Sequence, residues 1–536
     1  MIFNKLRIKN FKQFEELELV LDSDLNILSG DNESGKSTIL EALALVTTGR
    51  FSNRNFESFL SNDIFNKKIV NNYLQSLETA KPLPPPEIEI ELYAKDNPEH
   101  AKHKGRNNSK SEDVPGLKYI AQFNSLKYGD TYKDLVNTKK IKDMPLEFYH
   151  YEWRSFAESP ITSYNNPVSA SVIDTAQVNN TVIGSYIGKE IKESLSDDEI
   201  RKLGASYRKI RNQFSEEDVL KKMNSEIADR PHFKDKKIDV ALTSVTTSEW
   251  QKELSLRVNQ IPFSFSGKGA QNTIKTNLAL AKIPNKTKIL LIEEPENNLS
   301  FTNMSKLIDS IIEYNKDKQI FIATHSSFVA NKLGLDKLVL LYNSSPNYLS
   351  DLPKDTMKYF KKLPGYETLR TVIAEKVILV EGPTDELVVQ AAYMKQNKKL
   401  PISDGIDVIS VRSLAFKRFC DIAILLNKPI NIVTDNDGNI SKNITEKYSQ
   451  YKKEIDKGMI SIFYDRDEKL NTLEPSFLKV NESKQTELGT LFGKEKEKLL
   501  YYMNNNKTEW ALKILDNAKD FEYPEYINEC ITEIKK

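Results

Sequence analysis

Cysteine is nearly absent: 536 residues hold only Cys420 and Cys530, far apart and with no histidine beside either. That excludes a disulfide framework and a cysteine-based zinc site. Net charge is also missing, since Lys plus Arg number 77 against 76 Asp plus Glu, a formal +1. With no global basic field, any contact with nucleic acid must come from local patches. No run of about 18 apolar residues occurs, which argues against a membrane-spanning helix. The N-terminus carries Lys5, Arg7 and Lys9 in an alternating stretch where a signal peptide would have an apolar core. Repeats and low-complexity tracts are lacking as well. These absences leave a soluble, cytoplasmic, mixed α/β protein, long enough for two or three domains.

What is present is strongly patterned. Met1–Val20 alternates apolar and polar residues and predicts a hairpin; Asp24–Ser29 predicts a strand, and Ile39–Val46 a helix. After a polar stretch from Phe51 to Lys81, Pro84, Pro85 and Pro86 form a stiff run before another strand over Glu87–Leu92. Residues 100–113 read as a polar, basic, mobile loop. From Ile173 to Arg230 prolines are few and charges many, with apolar positions at Ile191, Leu195, Ile200, Leu203, Ile210, Phe214 and Leu220, so the segment predicts an inserted helical pair used for packing or dimerisation. Strand character returns near Ile238–Val245.

Between the first predicted strand–helix pair lies Gly30-Asp31-Asn32-Glu33-Ser34-Gly35-Lys36-Ser37, which fits G-x-x-x-x-G-K-[ST] at every fixed position. Glycines let backbone N–H groups wrap phosphates at a helix N-terminus, where the dipole favours anions. Lys36 is expected to reach the β- and γ-phosphates and the Ser37 hydroxyl to ligate Mg²⁺; Asn32, Gly35 and Thr38 complete the expected ATP contacts. A second apolar strand, Lys288–Ile292, runs into Glu293-Glu294-Pro295-Glu296. This resembles the Walker B strand of ABC-type ATPases, with Glu293 near the metal and Glu294 as the base that polarises water. Glu293 stands where Asp is more usual. A third strand, Gln319–Ala323, leads to His325, which matches the γ-phosphate-sensing histidine of that superfamily. Ser266 and Gly267 sit where the ABC signature belongs, although the stretch departs from L-S-G-G; as a signature it would cap ATP on another protomer.

Downstream, the strand Lys376–Val380 ends in Glu381-Gly382-Pro383-Thr384-Asp385, and the strand Ile430–Val433 ends in Thr434-Asp435-Asn436-Asp437. This places several carboxylates at the carboxyl edge of a parallel sheet, where α/β ligand sites form. Such a group repels itself unless a divalent cation offsets it, and oxygen-only ligation suits Mg²⁺ or Mn²⁺. A D-x-D after a strand is, alone, as often an Asp-rich turn. Together with the E-G-x-x-D strand it resembles a Toprim domain.

An ABC-type ATPase followed by Toprim resembles the OLD (overcoming lysogenization defect) family of nucleases over nearly the whole chain, and within it the Gabija anti-phage branch. The resemblance implies an α/β fold in which an ABC-type P-loop ATPase carries an inserted helical dimerisation segment and is followed by a C-terminal Toprim domain. Its parts would be residues 1–165 and 231–345 (ATPase), 166–230 (helical insertion) and 346–536 (Toprim). It further implies two-metal cleavage of DNA, with Glu381, Asp385, Asp435 and Asp437 as metal ligands, Glu474 as a further ligand and Lys507 stabilising charge on the scissile phosphate; Glu381 and Asp435 would then be catalytic. Asp465 and Asp467 form an alternative acidic pair. Implied partners are DNA, further copies of the chain (a dimer or tetramer) and, for the Gabija branch, a UvrD-like helicase. In relatives nucleotide restrains the nuclease. A non-nucleolytic, ATP-driven DNA-binding or sensor protein with a degenerate Toprim fold is the competing reading. A DNA-repair ATPase of the SMC kind fits less well, because residues 173–230 at about 1.5 Å each are too short for a long coiled-coil arm.

Overall fold

The computed structural model describes residues 1–51, 54–56, 60–79, 81–138, 141–174, 194–228, 240, 250, 254–281, 287–297, 299–314, 317–326, 329, 333–362, 374–411 and 415–535. Ile191 and most of the Ile238–Val245 stretch lie outside them. The chain divides into two compact units, Met1–Val168 with Gln319–Lys536, and Ser169–Lys318.

In the first unit the alternating N-terminus forms the expected hairpin: Phe3–Phe11 pairs antiparallel with Phe14–Val20, Leu6 opposite Leu19 and Ile8 opposite Leu17. On its other edge it pairs with Ile88–Ala94, which pairs with Val114–Phe123, which pairs with Tyr149–Ser155. One face buries Leu6, Ile8, Ile90, Leu92 and Leu117. The opposite face carries a ladder of opposite charges: Arg7 lies 3.1 Å from Glu89, and Lys118 2.6 Å from the same side chain. Cross-strand pairs of opposite sign steady such a face and leave it self-neutralised.

Against this sheet packs the helix Lys36–Thr48, buried along most of its length. A helix that is apolar on nearly all sides belongs between layers. Its other contact is with parallel strands, where Leu25–Gly30 lies between Gln319–Ala323 and Leu338–Tyr342, and Ser345–Tyr348 closes the edge antiparallel. The indole of Trp153 donates to the Val46 carbonyl (2.9 Å) and ties the helix end to the antiparallel sheet.

The C-terminal part of this unit is a four-stranded parallel sheet in the order Ile406–Ser410, Lys376–Val380, Ile430–Val433, Ile460–Phe463. The helices Pro383–Asn397, Lys507–Asp516 and Glu525–Glu533 pack with it around a core containing Tyr393, Phe477, Trp510 and Ile531.

Two local expectations change. Residues 100–113 are not a loose loop: Pro98–His103 is a 3-10 turn, Lys104–Gly105 pairs with Val114–Pro115, and Ser109 donates to buried Glu91 (2.5 Å). A tertiary partner for a polar segment gives no period in the sequence. In the second unit, residues 170–174, placed by sequence within the helical segment, form a strand parallel to Ile289–Glu293; a short apolar run carries no period that separates strand from helix. The helical pair itself is present as Asp197–Ser215, opened by a capping box of Ser196 and Glu199, and Asp218–Ala228. Among the described residues no helix is long and apolar enough to cross a membrane.

Candidate active site and nucleotide loop

The strand Leu25–Gly30 delivers the glycine-rich loop and Lys36–Thr48 receives it. Gly30 and Gly35 have φ of +157° and +103°. A Cβ on Gly35 would stand 2.3 Å from Phe14 Cζ, and one on Gly30 2.5 Å from the Leu341 carbonyl oxygen. Both positions are therefore closed to larger side chains by geometry as well as by torsion. Lys36 curls onto its own loop and donates to the carbonyls of Gly30 (3.0 Å) and Asp31 (2.6 Å) and to Ser34 Oγ (3.3 Å). Thr38 Oγ1 donates to Gln13 (2.8 Å), which anchors the first helical turn. Asn32 and Ser37 are exposed at the mouth of the loop. His325 follows the strand Gln319–Ala323, whose Ala323 is level with Leu28; the Thr324 amide donates to the Leu28 carbonyl (3.0 Å), so His325 shares the carboxyl edge from which the loop departs.

In the second unit Glu293 ends the strand Ile289–Glu293 and is in register with Asp174, an acidic neighbour that the sequence did not reveal. Glu294 has φ +45° and accepts from Asn297 Nδ2 (2.6 Å). Ser266 and Gly267 immediately precede the helix Lys268–Ala281, and Gln271 Nε2 donates back to the Ser266 carbonyl (2.7 Å).

The downstream carboxylates converge at one sheet edge. Because Ile378 is level with Asn431 and Leu379 with Ile432, Glu381 emerges beside Thr434. Thr434 Oγ1 donates to Glu381 Oε1 (2.6 Å), and the Asp435 amide donates to the same oxygen (3.2 Å). Asp385, in the first turn of Pro383–Asn397, accepts from the Gly382 amide (3.1 Å). Asp437 is exposed with φ +49° and its amide donates to the Asn471 carbonyl (3.0 Å). Asn436, 1% exposed, points inward and donates to the carbonyls of Asp465 (2.8 Å) and Asp467 (3.1 Å). The alternative pair Asp465 and Asp467 thus forms a self-bonded turn that holds the D-x-D loop in place. Glu474 is 2% exposed, accepts from Thr472 Oγ1 (3.0 Å), and lies 3.6 Å from Lys507 Nζ.

Burial, then Asp385, Glu381, Glu474 and Asp437, push the Asp435 carboxyl up to about 9. Burial and then Glu381 push Asp385 up to about 7. Like charges gathered without a counter-charge produce this pattern. Among the described residues no three acidic, His or Cys side chains already close on a common point as in a filled cage. The donor set is nonetheless oxygen-only and mutually repelling, which fits a hard divalent cation.

Two tyrosines escaped the sequence reading because neither carries a motif. Tyr526 is buried, and its hydroxyl is held well above its usual range by burial and then by Asp435, Asp385, Asp465 and Glu474. Tyr448 is 1% exposed, its hydroxyl has no hydrogen-bond partner among the described residues, and Glu381 is among the charges it feels.

Residues 1–330 match the family described as AAA ATPase domain, and residues 373–437 match the Overcoming lysogenization defect protein-like TOPRIM domain. The Endonuclease GajA of Bacillus cereus is 23% identical over 478 residues, 82% of this chain and 75% of that protein. The DNA replication and repair protein RecF of Chlamydia caviae is 44% identical over 45 residues, 8% of this chain and 12% of that one. The solved SMC head domain from Thermotoga maritima covers 65% of this chain and 97% of its own at 14% identity, with a TM-score of 0.32, too low to carry structural detail. By its N-terminal match the chain belongs to the AAA ATPase domain family, and residues 373–437 behind it are similar to the TOPRIM domain of overcoming lysogenization defect proteins.

Proposed function

We propose that this chain is an ATP-binding, nucleotide-regulated, divalent-metal-dependent DNA endonuclease acting in anti-phage defence. The observation that carries the reading is the convergence of Glu381, Asp385 and Asp435 at one sheet edge, where burial and neighbouring carboxylates push Asp385 and Asp435 up. A sheet edge built this way is costly for folding unless it serves a cation. The match to an endonuclease over most of both chains supports the same reading.

Glu381, Asp385, Asp435, Asp437 and Glu474 would hold Mg²⁺ or Mn²⁺. When bound, paired cations supply an activated water and neutralise the leaving oxygen. Thr434 and the Asp435 amide fix one oxygen of Glu381. Lys507, half-exposed beside Glu474, would stabilise charge on the scissile phosphate. On the ATPase side, Asn32, Gly35, Lys36, Ser37, Thr38 and His325 would hold ATP, with Ser37 and Glu293 near its metal and Glu294 polarising water. Ser266 and Gly267 would cap ATP on a second copy. We further assign 1–165 and 231–345 to the ATPase, 166–230 to dimerisation and 346–536 to the Toprim nuclease, with DNA, further copies of the chain and a UvrD-like helicase as partners.

Supercoiled plasmid incubated with Mg²⁺ or Mn²⁺ tests the reading. Wild type should cut, and Glu381→Ala and Asp435→Ala should not. Equal cutting by all three sinks the nuclease assignment, and no cutting by any favours an ATP-driven DNA-binding or sensor protein.

A further inference from the structure

A cavity of about 220 Å³ opens beside the carboxylate edge and takes no part in the chemistry above. One wall is Tyr464, Asp465, Arg466 and Leu470, which follow the strand Ile460–Phe463. The other is Pro524, Tyr526 and Glu529, at the start of the helix Glu525–Glu533. Arg466 Nη2 reaches between the walls to Glu529 Oε1 at 3.2 Å. Hydrogen bonds tie the first wall to the D-x-D loop: Asn436 Nδ2 donates to the carbonyls of Asp465 (2.8 Å) and Leu470 (3.4 Å). Phe463 is level with Val433, and the Thr434 amide donates to the Phe463 carbonyl (3.1 Å). Tyr464 and Asp465 therefore leave their strand alongside Thr434 and Asp435. Tyr526, 5% exposed, lines the cavity, and its hydroxyl makes no hydrogen bond among the described residues. A buried phenol without a partner is costly unless a ligand supplies one.

Size and lining select the occupant. The volume is below the roughly 300 Å³ at which pockets for drug-sized ligands begin, so it takes a single ring system. Two tyrosine rings with Leu470 and Pro524 offer the flat apolar surface on which a base stacks. The carboxylates of Asp465, Glu525 and Glu529 outnumber the one cation, Arg466, which is already paired. A phosphate is repelled there, whereas a neutral ring that donates N–H groups is accepted. We propose that the cavity receives one nucleobase, swung out of its stack, from the DNA strand whose phosphate lies at Glu381 and Asp435. Tyr464 and Tyr526 take the ring, and the carboxylates take its N–H edge. Extrusion costs least where a base is unpaired, so the substrate class is DNA with an unpaired nucleotide beside the scissile phosphate. The position of that phosphate rests on the nuclease reading above; occupation of the cavity by a base is tested without cleavage.

Fluorescence anisotropy on the full chain, with Ca²⁺ in place of Mg²⁺, compares two duplexes that carry one bulged guanosine or one bulged abasic nucleotide. Wild type should bind the guanosine bulge about fivefold more tightly or better, which at about 1.4 kcal/mol per tenfold is the lower end of base–aromatic stacking. Tyr464→Ala should bring the ratio below about twofold by removing one stacking ring. Val480→Arg, at a cavity-lining position 39% exposed, should do the same, because the carboxylates draw its side chain into the cavity. It stands in if Tyr464→Ala misfolds. With Mg²⁺, cutting should fall at the phosphates flanking the bulged guanosine. Equal affinity for the two bulges in wild type overturns the proposal, and binding of free guanosine in that case gives the cavity to a nucleoside instead. A full preference retained in both variants overturns it too. A preference without cutting of any DNA supports the base site and removes the nuclease reading.

Discussion

Lys507 Nζ lies 3.6 Å from Glu474 Oε1, joining a half-exposed ammonium to a carboxylate that is almost wholly buried. The pair brings together two helices separated by more than one turn of chain, Leu473–Val480 and Lys507–Asp516. An exposed ion-pair partner contributes little to stability, below about 1 kcal/mol. Lys507→Ala should therefore leave the thermal midpoint close to wild type while lowering plasmid cleavage about 10²- to 10³-fold, the usual effect of removing a charge-stabilising donor. A large drop in midpoint with normal cleavage would reverse the assignment.

Thr434 is buried and donates to Glu381. Thr434→Val keeps shape and removes that donor, so unfolding in urea should show a loss of about 1–3 kcal/mol. The Mg²⁺ concentration needed for half-maximal cleavage should rise, because the Glu381 carboxylate is no longer held in one orientation. Titration of cleavage against Mg²⁺ checks it.

Gly35 combines φ +103° with a Cβ position 2.3 Å from Phe14. Gly35→Ala should cost about 1–3 kcal/mol in strain and abolish binding of a fluorescent ATP analogue. Retained affinity would mean that the loop reshapes freely.

Burial alone would raise the Asp24 carboxyl; hydrogen bonds from the Lys337 ammonium and the Leu25 amide outweigh it and hold it at about 2. A depressed carboxyl stabilises the fold above its unfolded value near 4 and loses that contribution as pH falls towards 2. Asp24→Asn should thus be less stable than wild type at neutral pH, with the gap in urea midpoint closing between about pH 4 and pH 2.

The orphaned hydroxyl of Tyr448 gives the opposite sign. Tyr448→Phe removes a buried polar atom that has no partner among the described residues and should leave the unfolding free energy unchanged or raise it by up to about 1–3 kcal/mol. A clear loss in a urea melt would show that the hydroxyl is bonded in solution.

Much of this was legible in one dimension because its signals are local. The hairpin Phe3–Val20 follows from alternation, and the loop Gly30–Ser37 from glycines at fixed offsets between a strand and a helix. Glu381, Asp385, Asp435 and Asp437 were visible because each follows an apolar run by a short, set distance. Asp174 beside Glu293 was not, since only strand pairing puts residues so far apart in sequence in register. Nor was the ordered 98–113 segment, whose polar residues find buried Glu91.

By itself, then, the sequence marked out the residues proposed to carry the chemistry, the phosphate loop and the two strand-end acidic motifs, with Glu474 and Lys507 added by the family resemblance. Composition and period act at short range, and strand-end motifs need only their own strand. Tertiary structure alone decided which of those groups share a field and that Thr434 clamps Glu381. Those outcomes depend on register between parallel strands and on packing between chain segments far apart in sequence, where electrostatic terms grow as water is excluded. No spacing rule in a single chain encodes them.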